Sequence, residues 1–195
     1  MHHYFIGKLL NQEDSKNLIG TQSYISRKIN SKKISNLNIK FAYLGYMDDE
    51  TFLSLQDKIS NIMSALSENV SASKSMYTGF GITGEKTTKK SVSIMYQNDI
   101  ITKIVVPYLR SYLSPITGES MDYFPHISLT RIDVNNITAD IEEFLTTVRI
   151  PQNNTFTIDT IDILKGIPKI VRPGPSSKLD DMDMEVRASY ALKPL

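Results

Sequence analysis

Three consecutive residues carry the clearest chemical pattern in this chain: His126, Ile127 and Ser128. In an extended segment, residues i and i+2 project from the same side. An imidazole and a hydroxyl would therefore stand side by side. Histidine exchanges a proton near neutral pH, and a neighbouring hydroxyl can hold a non-bridging phosphate oxygen, so the pair suits phosphodiester chemistry. Taken alone, His-x-Ser reads more often as a partly buried strand histidine beside an ordinary serine. Residues 124–132 (FPHISLTRI) alternate and predict a strand. Ile127 and Leu129 fall on one face, and His126, Ser128 and Thr130 on the other. Phe124 is a candidate to stack a base, and Arg131 to meet a phosphate at the strand end.

A second polar-striped strand is predicted over residues 37–46 (LNIKFAYLGY). Ile39, Phe41 and Tyr43 fall on one face, with Asn38, Lys40 and Ala42 on the other. Asp48 and Asp49 are placed to cap a helix starting near Glu50. Its stripe is Phe52, Leu55, Ile59, Ile62, Met63 and Leu66. The same succession of striped strand and amphipathic helix recurs, in residues 38–66 and again in 126–148. Two similar lobes facing each other would set both polar stripes across one cleft.

The remaining pattern predicts a strand from His3 to Leu10, a helix over 14–29 weakened by Gly20, and a polar turn at Ser31-Lys32-Lys33. Strands follow at 75–83 and 90–96. Asp99 is expected to cap a helix with Ile101, Ile104, Val105, Tyr108, Leu109 and Tyr112 on one face, kinked or broken at Pro107. A helix over 138–148, a strand over 154–164, a Pro/Gly-rich loop over 166–177 and a strand over 184–193 complete the chain. This mixed order predicts an α+β fold. It reads as a single domain over 1–195, with lobes of roughly 1–95 and 96–195 packed together and antiparallel-rich sheets around the cleft.

The 22 basic and 21 acidic residues leave a formal net charge of +1. A duplex-coating protein would carry a larger basic excess, whereas a small anionic ligand needs only a few local cations. With no cysteine and three histidines, thiolate chemistry is excluded and no metal or cofactor is expected. The apolar stretch in MHHYFIGKLL is too short for a membrane span or a signal core. A cytoplasmic protein is expected, in the host cytoplasm if the source is viral. Gly79-Phe80-Gly81-Ile82-Thr83-Gly84 matches G-x-G-x-x-G, but a strand rather than a helix follows, so a hairpin is expected. Lys86, Lys89 and Lys90 read as its solvated turn. Tyr43, Tyr77, Tyr96 and Tyr123 are mostly core candidates, with one or two near the cleft able to stack a base. Lys169 and Arg172 read as a surface loop, and Asp180-Asp181-Met182-Asp183 as a solvated turn. His2 and His3 are expected in a frayed N-terminus, with His3 a lesser candidate for the cleft.

The segment Pro125-His126-Ile127-Ser128-Leu129-Thr130-Arg131 resembles the second signature of the 2H phosphoesterase superfamily, which includes the 2′-5′ RNA ligase-like proteins. Leu37-Asn38-Ile39-Lys40-Phe41-Ala42-Tyr43-Leu44-Gly45 resembles the strand bearing the first signature. The resemblance implies a two-lobed fold whose two histidines share the acid and base roles while hydroxyls grip the phosphate. Here His126 and Ser128 match, but Asn38 and Lys40 stand where the family has His and Thr or Ser. An amide exchanges no proton near pH 7, while Lys40 offers a cation. The expectation is a protein that binds nucleotide phosphates (a cyclic oligonucleotide, or an RNA terminal or cyclic phosphate), sequestering host immune signalling nucleotides. One alternative is an active, metal-independent phosphodiesterase using His126 with Lys40 or His3. The other is a structural or interaction protein with a vestigial cleft.

Overall fold

The computed structural model describes residues 1–84, 89–118, 123–168 and 182–195. In chain order the elements are β1 (His2–Leu9), α1 (Gln12–Lys28), β2 (Lys32–Lys33), β3 (Asn38–Met47), α2 (Asp49–Ser67), β4 (Ser73–Thr83) and β5 (Lys89–Gln97). There follow α3 (Val106–Thr117), β6 (His126–Asp133), α4 (Ala139–Thr147), β7 (Thr155–Ile158), β8 (Thr160–Pro168) and β9 (Met182–Ala191). Among the described residues the strands form a four-stranded sheet, β3-β1-β8-β9, and a five-stranded sheet, β2-β6-β5-β4-β7. All pairings between these strands are antiparallel, and the fold is α+β as expected.

The sheets do not follow the halves of the sequence. Each takes strands from both ends of the chain, and residue 95 falls inside β5. The single strand expected over 154–164 is two strands that break at Asp159 and enter different sheets. Asp159 accepts from the buried Lys8 ammonium of β1, which ties the crossover point to the first sheet. The expected turn at Lys32-Lys33 is a short edge strand, pairing with Arg131 and Thr130 of β6. The 180–183 turn is corrected at its described end: Met182 and Asp183 open β9.

One apolar core joins the two sheets and the helices. Ile39 and Phe41 anchor β3 in it, and Ile127 and Leu129 anchor β6. Each such side chain contributes roughly 1.5–3 kcal/mol on burial, so the polar faces of both strands are held outward by what lies beneath them. Asp48 caps α2 by accepting the Thr51 N–H at 2.8 Å, as its position predicted. The cap before α3 is Asn98 rather than Asp99. Its Oδ1 accepts from Ile101 N–H while its Nδ2 donates to the Ser73 and Ser75 hydroxyls. This buried position needs a side chain that both donates and accepts, which a carboxylate does not do. Asp99 instead pairs with Lys103 at 2.8 Å. Pro107 does not end the helical run, which extends from Asp99 through Thr117. It is the second residue of α3, where the hydrogen-bond pattern of that run changes. A π-helical stretch, Ile101–Val105, precedes it, with the Val106 N–H reaching back to Ile101 O. Ile104 and Tyr112 point outward from the expected apolar face.

Gly79 to Thr83 lie in β4, which pairs antiparallel with β5, so the glycine run belongs to a strand pair. Lys86, Lys169, Arg172, Asp180 and Asp181 lie outside the described residues.

Candidate functional site

The β6 wall is built on a fixed imidazole. His126 Nδ1 lies 2.7 Å from the Phe124 carbonyl oxygen. A carbonyl only accepts, so Nδ1 carries the hydrogen and Nε2 presents a lone pair. Burial, reinforced by the nearby charge of Lys40 and opposed by the Phe124 hydrogen bond, lowers the His126 pKa from its ordinary value. The shift favours the neutral imidazole. Two residues on, Ser128 receives a hydrogen bond from the fully buried Ser93 hydroxyl at 3.4 Å, and Ser93 shares a 2.6 Å hydrogen bond with Thr83. With its oxygen accepting from behind, Ser128 keeps its own hydrogen to donate.

Alternation along β6 does not persist. Val92 pairs with Thr130 and Ser93 with Ser128, so Leu129 is an extra residue that makes a bulge. The Leu129 carbonyl is satisfied from the other side, by the Ile34 N–H at 2.9 Å and by Gln22 Nε2 at 2.8 Å. The bulge reverses the facing of everything beyond it. Thr130, expected beside His126 and Ser128, is turned inward at 0% exposure. Arg131 turns into the cleft instead.

The β3 wall is different in kind. Asn38 Nδ2 donates to the Asn36 carbonyl at 2.8 Å, which fixes the amide and leaves a second N–H for an acceptor in the cleft. Lys40 is exposed, with Nζ 4.2 Å from the centre of the Phe5 ring. Two bulges interrupt the pairing of β3 with β1, at Phe41 and Leu44. Gly7, opposite Lys40, fits only because it lacks a Cβ, which would meet the Ile39 carbonyl oxygen at 2.0 Å. The bulges also correct the facing of two residues. Ala42 is buried, and Tyr43 lies with His3 and Phe5 on the side of Lys40.

The two walls meet. Asn38 and Lys40 from one sheet and His126, Ser128 and Arg131 from the other line a single cleft with Ile34, Asn36, Met182 and Met184. Its volume is about 90 Å³, room for several water-sized groups. Asn36 lies in the bend before β3, two residues ahead of Asn38, where strand periodicity does not reach. It also donates to Asp183 at 3.0 Å, joining this rim to β9. Met182 and Met184 gave no signal either, because their place depends on the pairing of β9 with β8. Phe124 is 59% exposed, with its ring centre 6.1 Å from that of His126, at the mouth rather than the lining. His3 is not frayed. It lies in β1 and shares a 2.8 Å hydrogen bond with the Tyr43 hydroxyl, outside the residues that line the cleft. Tyr77 and Tyr96 are buried, as expected.

Chemically, the cleft offers a neutral imidazole nitrogen, a hydroxyl donor, an amide and two cations. That set suits a phosphate or another small oxyanion. Among the described residues no group of three or more His, Cys, Asp or Glu converges as a metal site would require, and no helix is long and apolar enough to cross a membrane.

No protein-family model and no curated protein sequence matches the chain. Solved structures do. TT0787 of Thermus thermophilus superposes with a TM-score of 0.72 at 14% identity, covering 98% of each chain. Escherichia coli LigT without ligand gives 0.69 at 15% identity, again over 98% of each chain. LigT complexed with 3′-AMP gives 0.66 at 16% identity, over 98% of this chain and 97% of that one. Further LigT structures hold NADP+, phosphate and ATP. With full-length agreement of both sheets and helices, this chain has the 2H phosphoesterase fold.

Proposed function

We propose that the cleft binds the phosphate of a nucleotide and holds it with little or no turnover. One observation carries this reading: Asn38, Lys40, His126 and Ser128, from strands of different sheets, line the same cleft, and only one of the four is an imidazole. Phosphodiester cleavage by acid–base catalysis needs one group to take a proton and another to give one. His126 serves for one. Across from it, Asn38 donates and accepts hydrogen bonds but transfers no proton. Forfeiting one such group costs on the order of 10²–10⁴ in rate. The same replacement keeps phosphate recognition, because Lys40 supplies positive charge on the wall that lacks the histidine. The LigT complexes with phosphate, 3′-AMP and ATP support the ligand class. Within that class the reading extends to a cyclic oligonucleotide or an RNA terminal phosphate, and to capture of nucleotides used as host immune signals.

A second reading, slow phosphodiesterase activity, is favoured by the tautomer of His126, which aims a basic nitrogen away from its backbone partner. One experiment separates the two. The protein is incubated with cyclic dinucleotides, cyclic trinucleotides, 2′-5′ oligoadenylate and 2′,3′-cyclic-phosphate RNA, then denatured, and the recovered ligand is analysed. Tight binding with intact ligand supports capture. Linearised, shortened or ring-opened products that vanish in His126→Ala establish catalysis. Binding of none of these probes removes both readings and leaves a structural protein.

A further inference from the structure

We propose that the groove between α1 and the end of α4 is a second ligand site. It takes a small molecule with a flat apolar body and one anionic group, a carboxylate or a phosphate. This site is independent of the phosphate-binding reading above.

The groove is lined by Gly20, Thr21 and Tyr24 of α1, by Thr147 of α4, and by Val148 and Arg149, which follow it. None of these residues lines the cleft. The groove has a volume of about 360 Å³, against about 90 Å³ for the cleft. That falls within the roughly 300–1,000 Å³ in which proteins hold small molecules.

The fold explains why these residues stand there, but not why one of them is glycine. Leu18, Gln22 and Ile25 are the buried residues of α1. Gln22 fastens that face by donating to the Ile34 and Leu129 carbonyls. Gly20, Thr21 and Tyr24 are left together on one flank, with Gly20 and Tyr24 one turn apart. Gly20 lies in the middle of α1, where glycine costs stability relative to alanine. Among the described residues nothing requires it, because a Cβ at Gly20 would meet no atom within 4 Å. A second molecule approaching the backbone accounts for a position that gives up helix stability and leaves open space.

The other side chains define that molecule. Tyr24 is 43% exposed and supplies a flat surface, with the Phe144 ring behind it at 5.7 Å, centre to centre. Val148 adds an apolar contact. The Thr147 hydroxyl donates to the Phe144 carbonyl at 2.7 Å, which leaves its oxygen to accept. Arg149 is the charged residue of the lining; it is exposed, and among the described residues no ion pair engages it. A guanidinium grips a carboxylate or phosphate through two parallel N–H bonds. Ring and cation together select a planar anion. A protein partner fits less well, since a stable interface engages about 20–30 residues a side.

The test titrates ¹⁵N-labelled protein with indole-3-acetate and, separately, with phenyl phosphate, following the backbone amides of Gly20 and Arg149. Both probes carry a ring and an anion, and they distinguish a carboxylate from a phosphate. At least one should shift both amides along a single binding curve. Arg149→Gln should weaken that probe roughly 10- to 150-fold, and Tyr24→Ala roughly 2- to 10-fold. Tyr24→Phe, which keeps the ring, should retain the wild-type affinity. Gly20→Leu fills the groove with a better helix former, so it should abolish binding while raising the melting temperature by about 1–4 °C. The site is refuted if neither probe moves these amides at concentrations up to about 10 mM. Unchanged affinity in either Arg149→Gln or Gly20→Leu refutes it as well. Shifts confined to the amides around His126 would refute it and leave the phosphate-binding reading standing.

Discussion

The two walls of the cleft solve the same positioning problem with different chemistry. On β6, each polar group is backed by a hydrogen bond that sets its role. The Phe124 carbonyl selects the tautomer of His126, and Ser93 with Thr83 orients Ser128. On β3, Asn38 is also fixed, by Asn36, but an amide transfers no proton, and Lys40 two residues on carries charge. One wall is equipped for proton transfer and the other for electrostatic attraction. On the proposed reading, the frame of the site is kept while the balance of its side chains favours holding a ligand over converting it.

The largest effect should come from making the walls alike. The double substitution Asn38→His and Lys40→Thr supplies the missing proton-transfer group and hydroxyl. Cleavage of a 2′,3′-cyclic phosphate should then rise by on the order of 10²–10⁴, read by product chromatography. An unchanged rate would mean that the β3 wall is not what limits chemistry.

Removing the charge alone should reveal what that wall contributes to binding. Lys40→Ala forfeits a charge-assisted contact of about 1.5–3 kcal/mol, so nucleotide affinity by calorimetry should fall roughly 10- to 150-fold. The loss should shrink with added salt, because Lys40 is exposed.

A smaller, pH-dependent effect belongs to the β6 wall. Because the His126 pKa is lowered, protonation comes only as the pH falls below about 6.5, and it adds a positive charge to the cleft. Affinity for a phosphodiester, whose own charge is constant in this range, should rise several-fold with acidification. His3 titrates nearby and also sits below its ordinary value, with Lys40 and Arg131 as the fixed cations around the cleft. The difference between wild type and His126→Gln isolates the contribution of His126. A pH profile unaltered by His126→Gln would break the assignment.

The smallest effect tests the backing of Ser128. The Ser93 contact is long, so Ser93→Ala should weaken phosphate binding by only about 0.5–1.5 kcal/mol. In Ser128→Ala the Ser93 substitution should have no further effect. Independent losses in the double variant would show that Ser93 does not act through Ser128.

Much of this was legible in the sequence because the strands carrying the site have anchored apolar faces. Ile39 with Phe41, and Ile127 with Leu129, are spaced by two and buried, so Asn38, Lys40, His126 and Ser128 had to face away from the core. What was not legible depends on pairing between distant segments. Thr130 turns inward because β6 gains one residue against β5, a count that neither strand displays alone. The same holds for Tyr43 and Ala42 on β3. The break at Asp159 has no composition signal either, since Thr155–Ile158 and Thr160–Pro168 both read as strand while joining different sheets. His3 was expected to fray, but strands on both sides of β1 hold it.

The central claim is that one phosphate is held between both walls. It is tested most directly by nuclear magnetic resonance of protein labelled with ¹⁵N, titrated with inorganic phosphate at neutral pH. The account predicts that the Asn38 side-chain amide and the His126 imidazole nitrogen signals shift together, following a single binding isotherm. Movement of only one of them, or shifts that saturate at different phosphate concentrations, would contradict it.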